Sequence, residues 1–231
     1  MKIKVRKNLL EENDAIAGRI RETLSGAGVI SINIMGSPGS GKTSLIEKLL
    51  PFLTKSIRAA VIEGDIASSM DTDRLREQGY EAVQINTDGA CRLDANMVWH
   101  GISALDLSTI DILFIENVGN LVCPASCDIG ESIRLVITSV SEGDDKPIKY
   151  PVIFQVADIV ALNKIDMIGH TPFDDTRVIR AINDINPRAK VFPTSCITGS
   201  GIEELSSHIL SLSESHPPRS AAAGGQSTAP Q

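Results

Sequence analysis

Short apolar runs alternate along this chain with stretches of helical period. Leu9, Ile16, Ile20 and Leu24 fall at helical spacing, which predicts a surface helix over residues 8–25. Strand-like runs follow at 29–35, 58–63, 82–86, 111–116, 134–140, 158–163 and 190–195. Segments of helical period separate most of them, at 43–53, 71–79, 94–105, 174–185 and 202–212. Several of the strands lack polar alternation, as strands of a parallel sheet covered on both faces do. The pattern predicts a doubly wound α/β fold with a mostly parallel sheet and an added N-terminal helix. It places one domain at 1–213. From about 214 the chain loses apolar residues and gains Pro, Gly, Ser and Ala, which predicts a disordered tail over 214–231.

Composition narrows the class. At 231 residues, with 42% apolar and 22% charged positions, the chain is long enough for a full core. A net charge of −7 argues against nucleic acid or an anionic membrane as partner. No apolar run approaches the ~18 residues of a membrane span. Four cysteines are too few and too scattered for a disulfide framework, so the expected setting is cytoplasmic, with reduced thiols.

The first strand runs straight into GSPGSGKT at 36–43, a full match to G-x-x-x-x-G-K-[ST]. Gly36, Ser37, Pro38, Gly39, Ser40, Gly41, Lys42, Thr43 and the following Ser44 are therefore the expected phosphate-binding residues. The glycines let successive N–H groups turn inward, and the helix N-terminus adds partial positive charge. This pattern predicts a P-loop NTPase, with Lys42 on the β- and γ-phosphates and the Thr43 hydroxyl on Mg²⁺. NKID at 163–166 points to the base. The Asp166 carboxylate accepts both the ring N–H and the exocyclic amine of guanine, whereas adenine leaves it unpaired. Lys164 packs its stem along the base and Asn163 ties the loop to its neighbours. Ser195 and Cys196, in SCITGSG, close over guanine.

Acidic residues at the ends of the second and fourth strands, Asp65 and Glu116, are the candidates to support Mg²⁺, with Asp71 a weaker one. Glu116 stands in E-N-V-G, where D-x-x-G is the common pattern. No residue stands out as hydrolytic base, which predicts slow GTP turnover to GDP and phosphate.

Two further segments, GACRLDANMVWHGI and ENVGNLVCPASCDIGE, join GSPGSGKT, EGDIASS and LNKID in resembling the HypB family of hydrogenase nickel-incorporation GTPases. The resemblance covers nearly the whole chain to about residue 213. It implies a metallochaperone that loads nickel into [NiFe] hydrogenase, forms a nucleotide-linked homodimer, and works with a HypA-type nickel chaperone and the hydrogenase large subunit. In that family the segment matching 89–93 usually reads G-x-C-H-L, and its Cys–His pair joins the cysteine of N-L-V-C-P as a metal site at the dimer interface. Cys91 and Cys123 match. The histidine does not, because this chain has Arg92, which has no lone pair for a metal. Cys127 is an added thiol four positions after Cys123. A Ni²⁺ or Zn²⁺ site of Cys91, Cys123 and Cys127, with Cys127 replacing the histidine, is the expectation. Two alternatives stay open: a GTPase chaperone of another metalloenzyme, such as urease or a cobalamin enzyme, and a nucleotide-gated binding protein that has lost metal.

Overall fold

The computed structural model describes residues 5–65 and 70–214. The expected tail beyond 214 and part of the EGDIASS segment lie outside the described residues.

Seven parallel strands form a single sheet: β1 (Ile30–Gly36), β2 (Ala59–Asp65), β3 (Glu81–Asn86), β4 (Ile112–Glu116), β5 (Ile133–Ser139), β6 (Ile159–Asn163) and β7 (Lys190–Pro193). Their spatial order is β3-β2-β4-β1-β5-β6-β7. The chain winds first to one side of β1 and then to the other. The crevice at this reversal, outside the carboxyl ends of the strands, is where such sheets bind ligands. The register brings the chemistry to that edge: Glu63 pairs with Glu116, Ile34 with Glu116, and Gly36 with Ile137.

Helices cover both faces. Helices α2 (Lys42–Leu53) and α8 (Ile202–Glu214) bury Leu45, Leu49, Leu53, Leu205 and Ile209 against one side of the sheet. Helices α1 (Val5–Ala27) and α4 (Ala95–Ser103) bury Ala17, Ile20, Leu24, Val98 and Ile102 on the other. Helix α3 (Met70–Glu77) follows β2, and α7 (Asp175–Ile185) packs with the short α5 (Lys146–Lys149) and α6 (Pro151–Gln155). Those two short helices were not expected from the sequence; Pro147 and Pro151 start and divide them. Asp94 and Asp174 cap α4 and α7, each accepting a backbone N–H three residues on. No helix among the described residues is long and apolar enough to cross a membrane.

Helix α1 is fastened to the carboxyl edge as well as to the core. Arg21 donates to both carboxylate oxygens of Asp128, at 2.8 and 3.0 Å. Asn13 donates to Asp128 O at 2.8 Å and accepts from Ala95 N–H at 3.0 Å. Gly130 has no room for a side chain, since a Cβ there would lie 2.6 Å from Ala17 O. The helix thus grips both cysteine-bearing segments.

Candidate functional site

The phosphate loop leaves β1 at Gly36 and enters α2 at Lys42. Gly39 and Gly41 take left-handed φ values of 74° and 100°, which glycine adopts without strain. A Cβ on Gly41 would lie 2.5 Å from Asn163 Nδ2, and one on Gly36 would lie 2.4 Å from Ile137 O. The loop is held from β6: Asn163 Nδ2 donates to Ser40 O at 2.9 Å, and Lys164 Nζ to Gly39 O at 2.6 Å. Ser37 and Ser44 stand in and beside the loop; Ser44 is exposed. Lys42 is 8% exposed and its Nζ lies 3.3 Å from Ser37 O, folded back over its own loop. Burial pushes its pKa down, against the pull of Glu116 and the other nearby carboxylates.

Beside Lys42 lies a cavity of about 270 Å³ that includes Thr43, Glu63, Asp65, Asp71 and Glu116 in its wall. The Thr43 hydroxyl reaches Glu116 Oε1 at 2.9 Å and Asp71 Oδ2 at 3.3 Å. Glu116 is 6% exposed, and its second oxygen, Oε2, is buried without a hydrogen-bond partner. Burial pushes its carboxyl pKa up to about 7, opposed by Lys42 and the Thr43 hydrogen bond. Glu63 accepts from the Thr72 hydroxyl, and burial raises its pKa too. Arg74 anchors this wall, bridging Glu47 on α2 and Asp71 on α3. A wider cavity of about 520 Å³ lies at the opposite end of the sheet, around Asp158 and Lys190, away from all these groups.

On the far side of the loop, Lys164 adopts φ 63° and opens a 3₁₀ turn at Ile165–Met167. Asp166 accepts from Ser195 Oγ, which itself accepts from Ile197 N–H at 3.3 Å and Thr198 N–H at 3.1 Å. Cys196 Sγ lies 3.5 Å from Asn163 Oδ1, and burial raises its thiol pKa. Asp166 therefore sits against the 195–201 loop.

The cysteines divide differently from the expectation. Cys91 is exposed and Cys123 half-buried, and the nearby Cys91 thiol is the main cause holding the Cys123 thiol above its ordinary pKa. Cys127 is 4% exposed and packs with Ala17, Ile20 and Ile129 in the core beneath α1. Its Sγ lies 3.7 Å from Asn13 Oδ1, and burial raises its thiol pKa against the pull of the nearby Arg92 charge. Among the described residues no three His, Cys, Asp or Glu side chains converge to hold a metal. The expected grouping of Cys91, Cys123 and Cys127 is thus not assembled among the described residues, because Cys127 lies in the core. The physical reason is local: Pro124–Ser126 forms a 3₁₀ turn, and Cys127 leaves it in extended conformation, so its thiol points into the core. His100 is exposed on α4.

Sequence reasoning passed over Asn117 and Asn120, which the structure places between the cavity and the cysteine pair. Their only signal was repetition, an asparagine three positions apart in E-N-V-G-N, and asparagine in a loop ordinarily reads as a turn former.

The CobW/HypB/UreG nucleotide-binding domain matches residues 30–193. The hydrogenase maturation factor HypB of Rhizobium leguminosarum bv. viciae is 45% identical over 87% of this chain and 67% of its own length. The crystal structure of HypB from Archaeoglobus fulgidus superposes with a TM-score of 0.83 at 39% identity, over 88% of this chain and all of that one. That of HypB from Helicobacter pylori in complex with nickel gives 0.85 at 36%, over 92% of this chain and all of that one. With a domain match over most of the chain, a curated relative at 45% identity and two HypB crystal structures of the same fold, the chain belongs to the HypB family of hydrogenase maturation factors.

Proposed function

We propose that the chain is a GTP-hydrolysing metallochaperone that delivers nickel to [NiFe] hydrogenase. The observation that carries this reading is that one eight-residue stretch, from Glu116 to Cys123, joins the nucleotide cavity to a paired thiol site. The backbone N–H groups of the 36–43 loop cradle the phosphates, and Lys42 neutralises charge growing on the β- and γ-phosphate oxygens as GTP and water become GDP and phosphate. Mg²⁺ fits the residues present: Glu116 offers a buried, unpartnered oxygen beside the Thr43 hydroxyl, with Asp65 and Asp71 in the same wall. It takes one or two protein carboxylates and completes its shell with phosphate and water, so no larger cage is needed. When bound it supplies charge neutralisation between the β- and γ-phosphates.

The nickel is cargo. Two thiolates fill half of a four-coordinate site, and a second copy offering the same pair would complete it, in keeping with the nucleotide-linked homodimer that the family resemblance implies. Zn²⁺ suits the same thiolates. A HypA-type nickel chaperone upstream, the hydrogenase large subunit downstream, and a cytoplasmic setting complete the proposal. Chaperoning of urease or a cobalamin enzyme is not favoured beside relatives that carry the hydrogenase name, nor is a metal-free binding role beside a HypB structure in complex with nickel.

The test is a Ni²⁺ titration of the nucleotide-free protein and three variants. Cys91→Ser and Cys123→Ser are expected to weaken Ni²⁺ at least about tenfold, since a serine hydroxyl is a poor ligand at neutral pH. Cys127→Ser should stay within about threefold, because its thiol faces the core. Equal losses in all three would restore Cys127 to the site. No loss in any would remove the thiol-based reading.

Base selectivity gives a second expected result. Asp166→Asn exchanges an acceptor for a group that can donate, so GTP affinity should fall by about 2 kcal/mol, roughly thirtyfold. Xanthosine triphosphate should gain in its place. Competition binding with both nucleotides measures this, and unchanged GTP affinity would overturn the assignment of Asp166.

A further inference from the structure

Two asparagines link the phosphate loop to the thiol pair by the same construction. Asn117, 1% exposed, follows Glu116 at the end of β4. Its own N–H donates to Ile34 O on β1 at 3.0 Å. Its side-chain Oδ1 accepts from Leu93 N–H at 3.0 Å, two residues after Cys91. The amide is fixed in rotation, because Oδ1 also accepts from Val118 N–H at 3.0 Å and Nδ2 donates to Asn33 Oδ1 at 3.1 Å. Three residues later the arrangement repeats. Asn120 N–H donates to Gly36 O, the first residue of the phosphate loop, at 2.9 Å. Its Oδ1 accepts from Val122 N–H at 2.7 Å and from Cys123 N–H at 3.3 Å.

What lies between and around them makes the connection stiff. Gly119 is pressed on the loop, since a Cβ there would lie 2.9 Å from both Pro38 N and Pro38 Cγ. Leu93 is fully buried, and its side chain fills the space at Gly64, between Glu63 and Asp65 of the acidic wall; a Cβ on Gly64 would lie 2.7 Å from Leu93 Cγ. Each cysteine segment therefore hangs by a backbone N–H on a side chain whose own backbone is bonded to β1 or the loop. At the buried Asn117, letting go leaves a polar group without a partner, at a cost of about 1–3 kcal/mol.

Resting on the function proposed above, we propose that Asn117 and Asn120 are positioning residues that carry the state of the nucleotide to the Cys91–Cys123 pair, each through the cysteine-segment amide held on its Oδ1. Neither touches the metal. Both set the distance and attitude of the two thiols according to what occupies the loop, and linkage makes the effect reciprocal: metal bound at the thiols alters nucleotide affinity by the same factor.

The quantity to measure is a ratio, the Ni²⁺ affinity of protein loaded with Mg²⁺ and a non-hydrolysable GTP analogue divided by that of protein loaded with Mg²⁺ and GDP. A merely structural role would move both affinities and leave the ratio alone. The wild type should show a ratio differing from one by about fivefold or more. Asn117→Ala and Asn120→Ala should each bring it to within about twofold of one. Asn120→Asp should keep the wild-type ratio, because a carboxylate oxygen accepts from Val122 and Cys123 as the amide oxygen does. Alanine variants that keep the full ratio would overturn the assignment while leaving the proposed function standing, and loss in Asn120→Asp equal to that in Asn120→Ala would overturn it as well. A ratio of one in the wild type would remove the linkage altogether, whereas failure of the functional reading shows separately, as Ni²⁺ binding indifferent to Cys91 and Cys123. If Asn117→Ala does not fold, the half-buried Asn120 pair of variants decides alone.

Discussion

Lys42→Ala is expected to reduce GTP turnover by about a hundred- to a thousandfold. The ammonium group is the charged donor that the cavity places beside the phosphate loop, and Glu116, Glu142, Asp65 and Asp71 all act on it. Without it those carboxylates would face the phosphates uncompensated, so the variant loses stabilisation and gains repulsion. The fold should not suffer. Burial disfavours the Lys42 charge, and its polar contact runs to a loop carbonyl rather than to the core. Phosphate release at saturating GTP measures the first effect, and thermal unfolding of the nucleotide-free protein checks the second. Turnover within tenfold of wild type, with the fold intact, would remove Lys42 from the site.

The strands were legible because a parallel sheet covered on both faces writes itself as uninterrupted apolar runs; Ile112 to Ile115 on β4 are all fully buried. The phosphate loop and the NKID loop were legible because their chemistry needs fixed residue types at fixed spacing, and the register then delivers Glu63 and Glu116 to the same edge. The burial of Cys127 was not legible, for the opposite reason. Spacing along the chain says nothing about the direction of a side chain after a 3₁₀ turn, and the core beneath α1 took the thiol in. Arg92 shows the same limit. Beside Cys91 in sequence, its guanidinium acts on Cys127 in the core, and its Nε is buried without a hydrogen-bond partner. Asn117 and Asn120 were hidden because their partners, the N–H groups of Leu93 and Cys123, lie in segments that only the fold brings together.

Glu116→Gln should stabilise the nucleotide-free, metal-free protein at alkaline pH and leave it unchanged in acid. The carboxyl is raised by burial from its ordinary value of 4.5 to about 7. A group raised in the folded state contributes stability that is fully present below its unfolded pKa and lost as pH climbs through the folded one. The wild type should therefore lose stability between about pH 4.5 and pH 7 on account of this residue, by an amount approaching about 3 kcal/mol. The glutamine amide keeps an oxygen for the Thr43 hydroxyl and cannot ionise, so the variant escapes that loss. Its melting temperature in EDTA at pH 8 should exceed the wild type's by roughly 6–12 °C, at the 2–4 °C per kcal/mol expected for a domain of this size. The two curves should meet near pH 5. With Mg²⁺ and GTP present the order should reverse at pH 8, because only the wild type has a carboxylate there, and a ligand stabilises the state that binds it. Parallel curves across the whole range would mean that Glu116 titrates like an ordinary surface acid, and the unpartnered Oε2 would then lose its meaning as a cation ligand.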